Sequence, residues 1–212
     1  MIYDDMAAGT TSRRIRKQKQ MRQKLTAAAM ELFSTHGYNS VTMEQIANRA
    51  DVAKGTLYNH FPIKEALIAA WVHEEMEHSR EKLLAEVRTH RDFRSRMLMF
   101  LEASREWCEA NKAYLPAYLR YRLVDLGDTA PGGGMHTLDG VGWSFAELIG
   151  EAQEHGELRD DLPAEQLAEF LAHIYLGALM RWLAGKTPDL NAEFESMLNL
   201  FLDGVIVTDL SP

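Results

Sequence analysis

Apolar residues recur three and four positions apart along almost the whole chain, and the Val/Ile/Thr runs that would build a sheet are missing. That spacing is the period of an amphipathic helix, so the expected fold class is all-α. Six prolines and 14 glycines among 212 residues leave room for long uninterrupted helices. From Lys17 to His36 the apolar positions Met21, Leu25, Ala28, Ala29, Leu32 and Phe33 predict one helix, with Gly37 as its terminating glycine. Thr42 to Gln45 has the form of a capping box and opens a short helix to Ala50. The turn Asp51–Lys54 leads to a second short helix, Gly55 to His60, closed by Phe61-Pro62. Further helices are expected at Ile63 to about Arg88, Asp92 to Ala110, Lys112 to Leu126 with Pro116 bending or restarting it, and Met135 to Gly150 or His155. Two more run from Pro163 to Ala184 and from Leu190 to Val207, and Pro131-Gly132-Gly133-Gly134 reads as an interhelical loop.

Charge divides the chain. Residues 1–61 hold nine Lys/Arg against five acids, +4; the remainder of a chain whose net charge is −8 therefore carries −12. Seven of the cations fall between Arg13 and Lys24 with no acid among them. A basic end on an acidic protein fits contact with a polyanion, and equally a solvated tail. One cysteine excludes an internal disulfide framework and a multi-cysteine zinc site. No run of 18 apolar residues predicts a membrane span, and Asp4, Asp5 and Arg13-Arg14 stand where a signal peptide would need apolar residues. The expected location is the cytoplasm, with no membrane partner.

Residues 42–61 carry the function. Helix, tight turn and second helix make a helix-turn-helix, in which one helix crosses the nucleic-acid backbone and the next lies in the major groove. Ile46, Ala47, Val52 and Leu57 can form its small core, leaving Lys54, Thr56, Asn59 and His60 outward. The bland alternative is a helical corner in an ordinary α protein. Thr42 and Thr56 bring hydroxyls to helix N-termini, where free N–H groups attract phosphate. Tyr58 joins a rigid ring to a hydroxyl within reach of phosphate oxygen. Lys54 and Lys64 are point charges; Lys54 also suits guanine O6/N7, and Asn59 suits adenine N6/N7.

These residues resemble a known family. Residues 22–71, above all Thr42, Ile46-Ala47, Ala50-Asp51-Val52, the run Lys54 to Pro62 and Lys64 to Leu67, are similar to the DNA-binding domain of TetR-family transcriptional repressors. The resemblance implies an all-helical homodimer: a three-helix DNA-binding domain followed by a larger helical ligand-binding and dimerisation domain. It also implies roles: Thr42 caps its helix and touches phosphate, Gly55 and Thr56 open the recognition helix, Tyr58, His60 and Lys64 hold phosphate, and Asn59 occupies a specificity position. The organisation expected is a basic flexible arm (1–16), the DNA-binding domain (17–62) and the ligand and dimerisation domain (63–212). The partners expected are a double-stranded DNA operator, a small-molecule effector and a second copy of the chain.

The second domain offers no motif of its own. Its aromatics include Trp107, Tyr114, Tyr118, Tyr121, Trp143, Phe145, Tyr175 and Trp182. Hydroxyl-bearing tyrosines suit a partly polar cavity better than a dry core. Trp107, Tyr118, Tyr121 and Trp143 are the candidate ligand contacts for a hydrophobic or aromatic molecule, with His136, His173, Arg105 and Arg120 as candidate polar partners; core or interface packing is the alternative for each. The last two helices carry wide apolar bands, including Phe170 and Ile174 on one and Leu198 and Phe201 on the other. Such width implies burial on two sides and nominates these four for a dimeric four-helix bundle. His73–His78 fails the zinc-protease pattern because Glu77 stands where the second histidine belongs. Cys108 and Met97/Met99 read as packed. No catalytic residue, metal or cofactor is expected; the competing class is an all-helical enzyme or small-molecule carrier whose helix-turn-helix unit is incidental.

Overall fold

The computed structural model describes residues 4–124 and 140–205, with side chains described over 14–122 and 140–205. Among the described residues every regular element is helical: α1 Asp4–His36, a 3-10 turn Tyr38–Ser40, α2 Met43–Arg49, α3 Lys54–His60, α4 Lys64–Val87, α5 Phe93–Ala110, α6 Leu115–Val124, α7 Val141–Glu154, α8 Ala164–Leu183 and α9 Leu190–Val205. Two compact units result, Met1–Trp71 and Val72–Pro212, and the division falls inside α4 rather than before it. The 131–134 loop, the segment from Met135 and His136 lie outside the described residues.

In the first unit, Leu25, Ala29, Phe33, Ile46, Leu57 and Phe61 are essentially inaccessible to solvent and form one core. α1 begins at Asp4, so most of the segment expected to be a flexible arm is helical. No proline interrupts it, and its Lys, Arg and Gln residues are good helix formers. Gly37 closes α1 at φ 80°, its N–H donating to the Phe33 carbonyl at 2.9 Å. The Thr42 capping box forms: Oγ1 accepts from the Gln45 N–H at 3.2 Å, and Gln45 Oε1 accepts from the Thr42 N–H at 2.8 Å.

The second unit builds one core from α4 to α9, including Phe100, Phe145, Tyr175 and Phe194. Their rings run in series at 5.4, 5.9 and 5.0 Å between centroids, the last pair stacked. Pro116 lies in the first turn of α6, where its missing N–H costs nothing, so the helix starts at Leu115 after a turn instead of bending. Pro163 likewise sits at the N-cap of α8. Arg80 and Arg88 both engage Glu147, Arg88 and Arg96 reach Glu151, and the buried Arg96 pairs with Glu157. This ladder ties α4 and α5 to α7.

Candidate functional site

The turn between α2 and α3 is tight because the backbone closes on itself: the Val52 N–H donates to the Ala47 carbonyl at 3.0 Å, and Asp51 takes φ 49°. Asp tolerates that left-handed conformation better than most side chains. A seven-residue helix is unstable alone, and α3 is held by Leu57, which is fully buried against the core that contains Ile46 and Ala47. Anchoring through Leu57 leaves Lys54, Gly55, Tyr58 and Asn59 exposed, with Thr56 and His60 half-buried. Tyr58 keeps 43% of its surface in solvent. Lys54 stands 3.9 Å from Glu44, an exposed pair that adds little.

Two cations counted toward a polyanion also have structural work. Lys64 Nζ donates to the carbonyls of Tyr38 at 2.7 Å and Val41 at 2.9 Å, and lies 4.2 Å from the Tyr38 ring centre. It pins the 3-10 turn to the start of α4. Arg22 donates to the His60 carbonyl at 3.0 Å and covers the Phe61 ring at 4.3 Å, fixing the end of α3 to α1. Sequence spacing carried no sign of either contact, since each joins residues more than twenty apart.

The second unit contains a narrow cavity. Val72 and Met76 of α4, Trp107 and Cys108 of α5, and Leu115, Tyr118 and Arg122 of α6 line one part; Val141 of α7 and Ala172, Tyr175, Leu176 and Leu179 of α8 line the rest. Its volume is about 20 Å³, room for little more than one water, so a larger guest must part the helices. The Tyr175 hydroxyl is spent on Ser104 Oγ at 2.6 Å and lies 3.6 Å from Cys108 Sγ. Burial pushes the Tyr175 phenol well above its ordinary range and raises the Tyr118 phenol and the Cys108 thiol, so all three stay protonated at neutral pH. A Cβ added at Gly140 would lie 2.9 Å from Met76 Sδ, a contact that a flexible methionine can relieve; the φ of 57° at Gly140 is what favours glycine.

Of the four aromatics nominated from the sequence, Trp107 and Tyr118 reach this cavity; Tyr121 is not among its lining residues, and Trp143 is 54% exposed. The helical period explains Trp143: Val141 and Phe145 of α7 face inward, and two residues from either is the opposite side. The nominated polar partners lie elsewhere too. Arg105 pairs with Glu102 and Glu109 on its own helix, His173 is exposed and hydrogen-bonds the Glu169 carbonyl, and Arg120 is exposed. Met76, Arg122 and Leu176 are lining residues that the sequence did not single out, and Leu179, read from the sequence as part of the interface band of the penultimate helix, lines the cavity instead.

Residues 25–71 match the model of bacterial regulatory proteins of the tetR family, and residues 138–204 match that of the C-terminal domain of TetR/AcrR family transcriptional repressors. The chain belongs to the TetR family. The transcriptional repressor KstR of Rhodococcus jostii (strain RHA1) is 28% identical over 171 residues, covering 80% of this chain and 76% of that protein. The regulator UidR of Escherichia coli (strain K12) is 41% identical over 56 residues, 26% of this chain and 29% of that one. The crystal structure of FadR from Thermus thermophilus, a TetR-family repressor in complex with lauroyl-CoA, superposes with a TM-score of 0.73 at 28% identity, covering 90% of this chain and 98% of that one. This protein is accordingly a DNA-binding transcriptional regulator of the repressor type, with an N-terminal helix-turn-helix unit and a larger helical one.

Within this TetR-family regulator the nominated dimer residues separate. Leu198 and Phe201 are buried in the chain's own core beside Phe194 and Leu202, so the wide apolar band of α9 is satisfied internally. Phe170, by contrast, is 52% exposed, and Ile174 is half-buried. Phe170, Ile174 and Gly177 follow at four and three along α8, and Met180 and Leu200 are further exposed apolar side chains on α8 and α9. Among the described residues no group of His, Cys, Asp or Glu is arranged to hold a metal, and no helix is long and apolar enough to cross a membrane.

Proposed function

We propose that this repressor works in the cytoplasm as a homodimer that grips a two-fold operator with α3 and lets go when a hydrophobic or aromatic small molecule enters the α4–α8 cavity. The observation that carries the reading is the outward row of Lys54, Tyr58 and Asn59 on a helix anchored by buried Leu57. In this reading Thr42, Tyr58, His60 and Lys64 bind phosphate, Gly55 permits close approach, and Lys54, Thr56 and Asn59 face base edges. Trp107 and Tyr118 contact the effector, whose entry widens the cavity and shifts α4, a helix continuous through residue 71. FadR's complex with lauroyl-CoA supports an effector with a large apolar part. No catalytic role is assigned to any residue.

The exposed α8 stripe supports the dimer. A mid-helix glycine costs about 1 kcal/mol relative to alanine, yet Gly177 stands between Ile174 and Met180 with nothing within 4 Å of an added Cβ. Close approach of a second α8 gives that glycine a purpose.

The test is operator binding followed by anisotropy, using the intergenic DNA beside the protein's own gene. The full chain should bind a two-fold site there, and a ligand that enters the cavity should weaken binding. Sequence-independent binding alone would refute the reading.

A further inference from the structure

Arg22 sits in the basic run of α1, yet its guanidinium meets protein. It donates to the His60 carbonyl at 3.0 Å and lies 4.3 Å from the Phe61 ring centre. His60 is the last residue of α3 and Phe61 its C-cap, so the bond engages a carbonyl that a helix end leaves without an intrahelical partner. α3 needs such a hold. It has seven residues and no side-chain cap at its N-terminus, and a helix so short does not persist alone. Leu57 and Phe61, both fully buried, stand four apart and anchor one edge of it. Two anchors on one line fix where a helix lies but resist roll about that line weakly. The bond to His60, beside the line, opposes that roll. Roll matters because Lys54, Tyr58 and Asn59 are exposed, away from the anchors. Side-chain tips stand about 5–6 Å from a helix axis, so a roll of about 10° moves them about 1 Å. A recognition geometry tolerates about 0.5 Å, whereas a phosphate contact carries no base register to lose.

Resting on the reading of α3 as the helix that faces base edges, we propose that Arg22 is a positioning residue for sequence recognition: through the His60 carbonyl and the Phe61 ring it sets the roll of α3, and it is not one of the cations that bind phosphate. Its place in a run of exposed Lys and Arg conceals this role, because the contact spans 38 residues of sequence.

The test compares full-length wild type, Arg22→Ala and Arg22→Lys with Lys24→Ala, which removes an exposed cation of the same helix. Each is titrated with the selected two-fold operator and with a scrambled duplex over a range of salt. Arg22→Ala should lower the preference for operator over scrambled duplex at least about tenfold, while its scrambled affinity and salt slope match those of Lys24→Ala. Arg22→Lys keeps the charge but not the planar fork, so it should retain scrambled affinity and lose part of the preference. Hydrogen exchange in the Arg22 variants should quicken at the Phe61 amide, bonded to the Leu57 carbonyl at 2.8 Å, and not at the Ala50 amide of α2, bonded to the Ile46 carbonyl at 2.9 Å. Equal loss on both duplexes, with a salt slope reduced by about 0.9 per protomer, would make Arg22 a phosphate contact and overturn the proposal. An unchanged preference with only a lower thermal midpoint, or a lysine variant indistinguishable from wild type, would overturn it too. Wild type without a preference for its operator removes the reading of α3 and the proposal with it; a preference that the Arg22 variants keep removes the positioning role alone.

Discussion

Asn59 and Tyr58 are neighbours on α3, yet their side chains suit different parts of a duplex. An amide can form the bidentate pair with adenine, whereas a phenol hydroxyl meets phosphate, which carries no sequence information. Asn59→Ala should therefore reorder the affinities of operator variants, by about 1–3 kcal/mol at a base pair it reads. Tyr58→Phe should weaken all duplexes alike. Competition binding with a panel of variant operators distinguishes the two; an unchanged ranking for Asn59→Ala removes its base-reading role. Lys64, proposed above to bind phosphate, also has an inward structural role. It bonds two carbonyls of the Tyr38–Val41 segment, so Lys64→Ala should lower the thermal midpoint as well as operator affinity. Lys64→Arg should restore charge better than it restores the two-carbonyl geometry. The phosphate candidates were nameable from the motif, but the inward bonds of Lys64 and Arg22 were not, because they span 26 and 38 residues of sequence.

At the scale of elements, local signals read well and sidedness read poorly. The capping box at Thr42, the glycine stop at Gly37 and the turn at Asp51 each depend on residues within a few positions, and each is visible in the chain. The start of α1 is not, since residues 4–16 have no apolar period and include Gly9, Thr10, Thr11 and Ser12, which are weak helix formers. The width of an apolar band on α9 does not say whether its second side meets its own chain or another copy. Leu198 and Phe201 meet their own, and the exposed stripe lies on α8 instead. Two substitutions test that stripe. Phe170→Glu should yield monomers by sedimentation, with weakened operator binding and little loss of monomer folding, because the side chain is half in solvent in the single chain. Gly177→Leu is sharper. In an isolated chain the added Cβ meets nothing within 4 Å and the helix gains propensity, so stability should not fall; in a closely packed dimer the leucine should dissociate the subunits. A more stable, undiminished dimer would move the interface elsewhere.

For the whole molecule, function divides between two units that each carry one half of a regulator. The first has a recognition helix held by Leu57, and the second has an apolar cavity whose volume is too small for a guest at rest. A ligand acts only through its differential affinity for two conformations, and a tenfold release of operator needs about 1.4 kcal/mol of coupling. Entry of a ligand should alter Trp107 emission, whereas the exposed Trp143 should respond less; single-tryptophan variants would show it. The central claim, that α3 reads sequence, has a direct measurement. Equilibrium binding of the full-length protein to its selected two-fold operator should be compared with binding to a scrambled duplex of equal length, at physiological salt. The account predicts a preference of at least about 10³-fold, which falls sharply in a Thr56→Ala, Asn59→Ala variant whose dimer and thermal midpoint are unchanged. Equal affinity for the two duplexes, or a preference that the double substitution leaves intact, would contradict it.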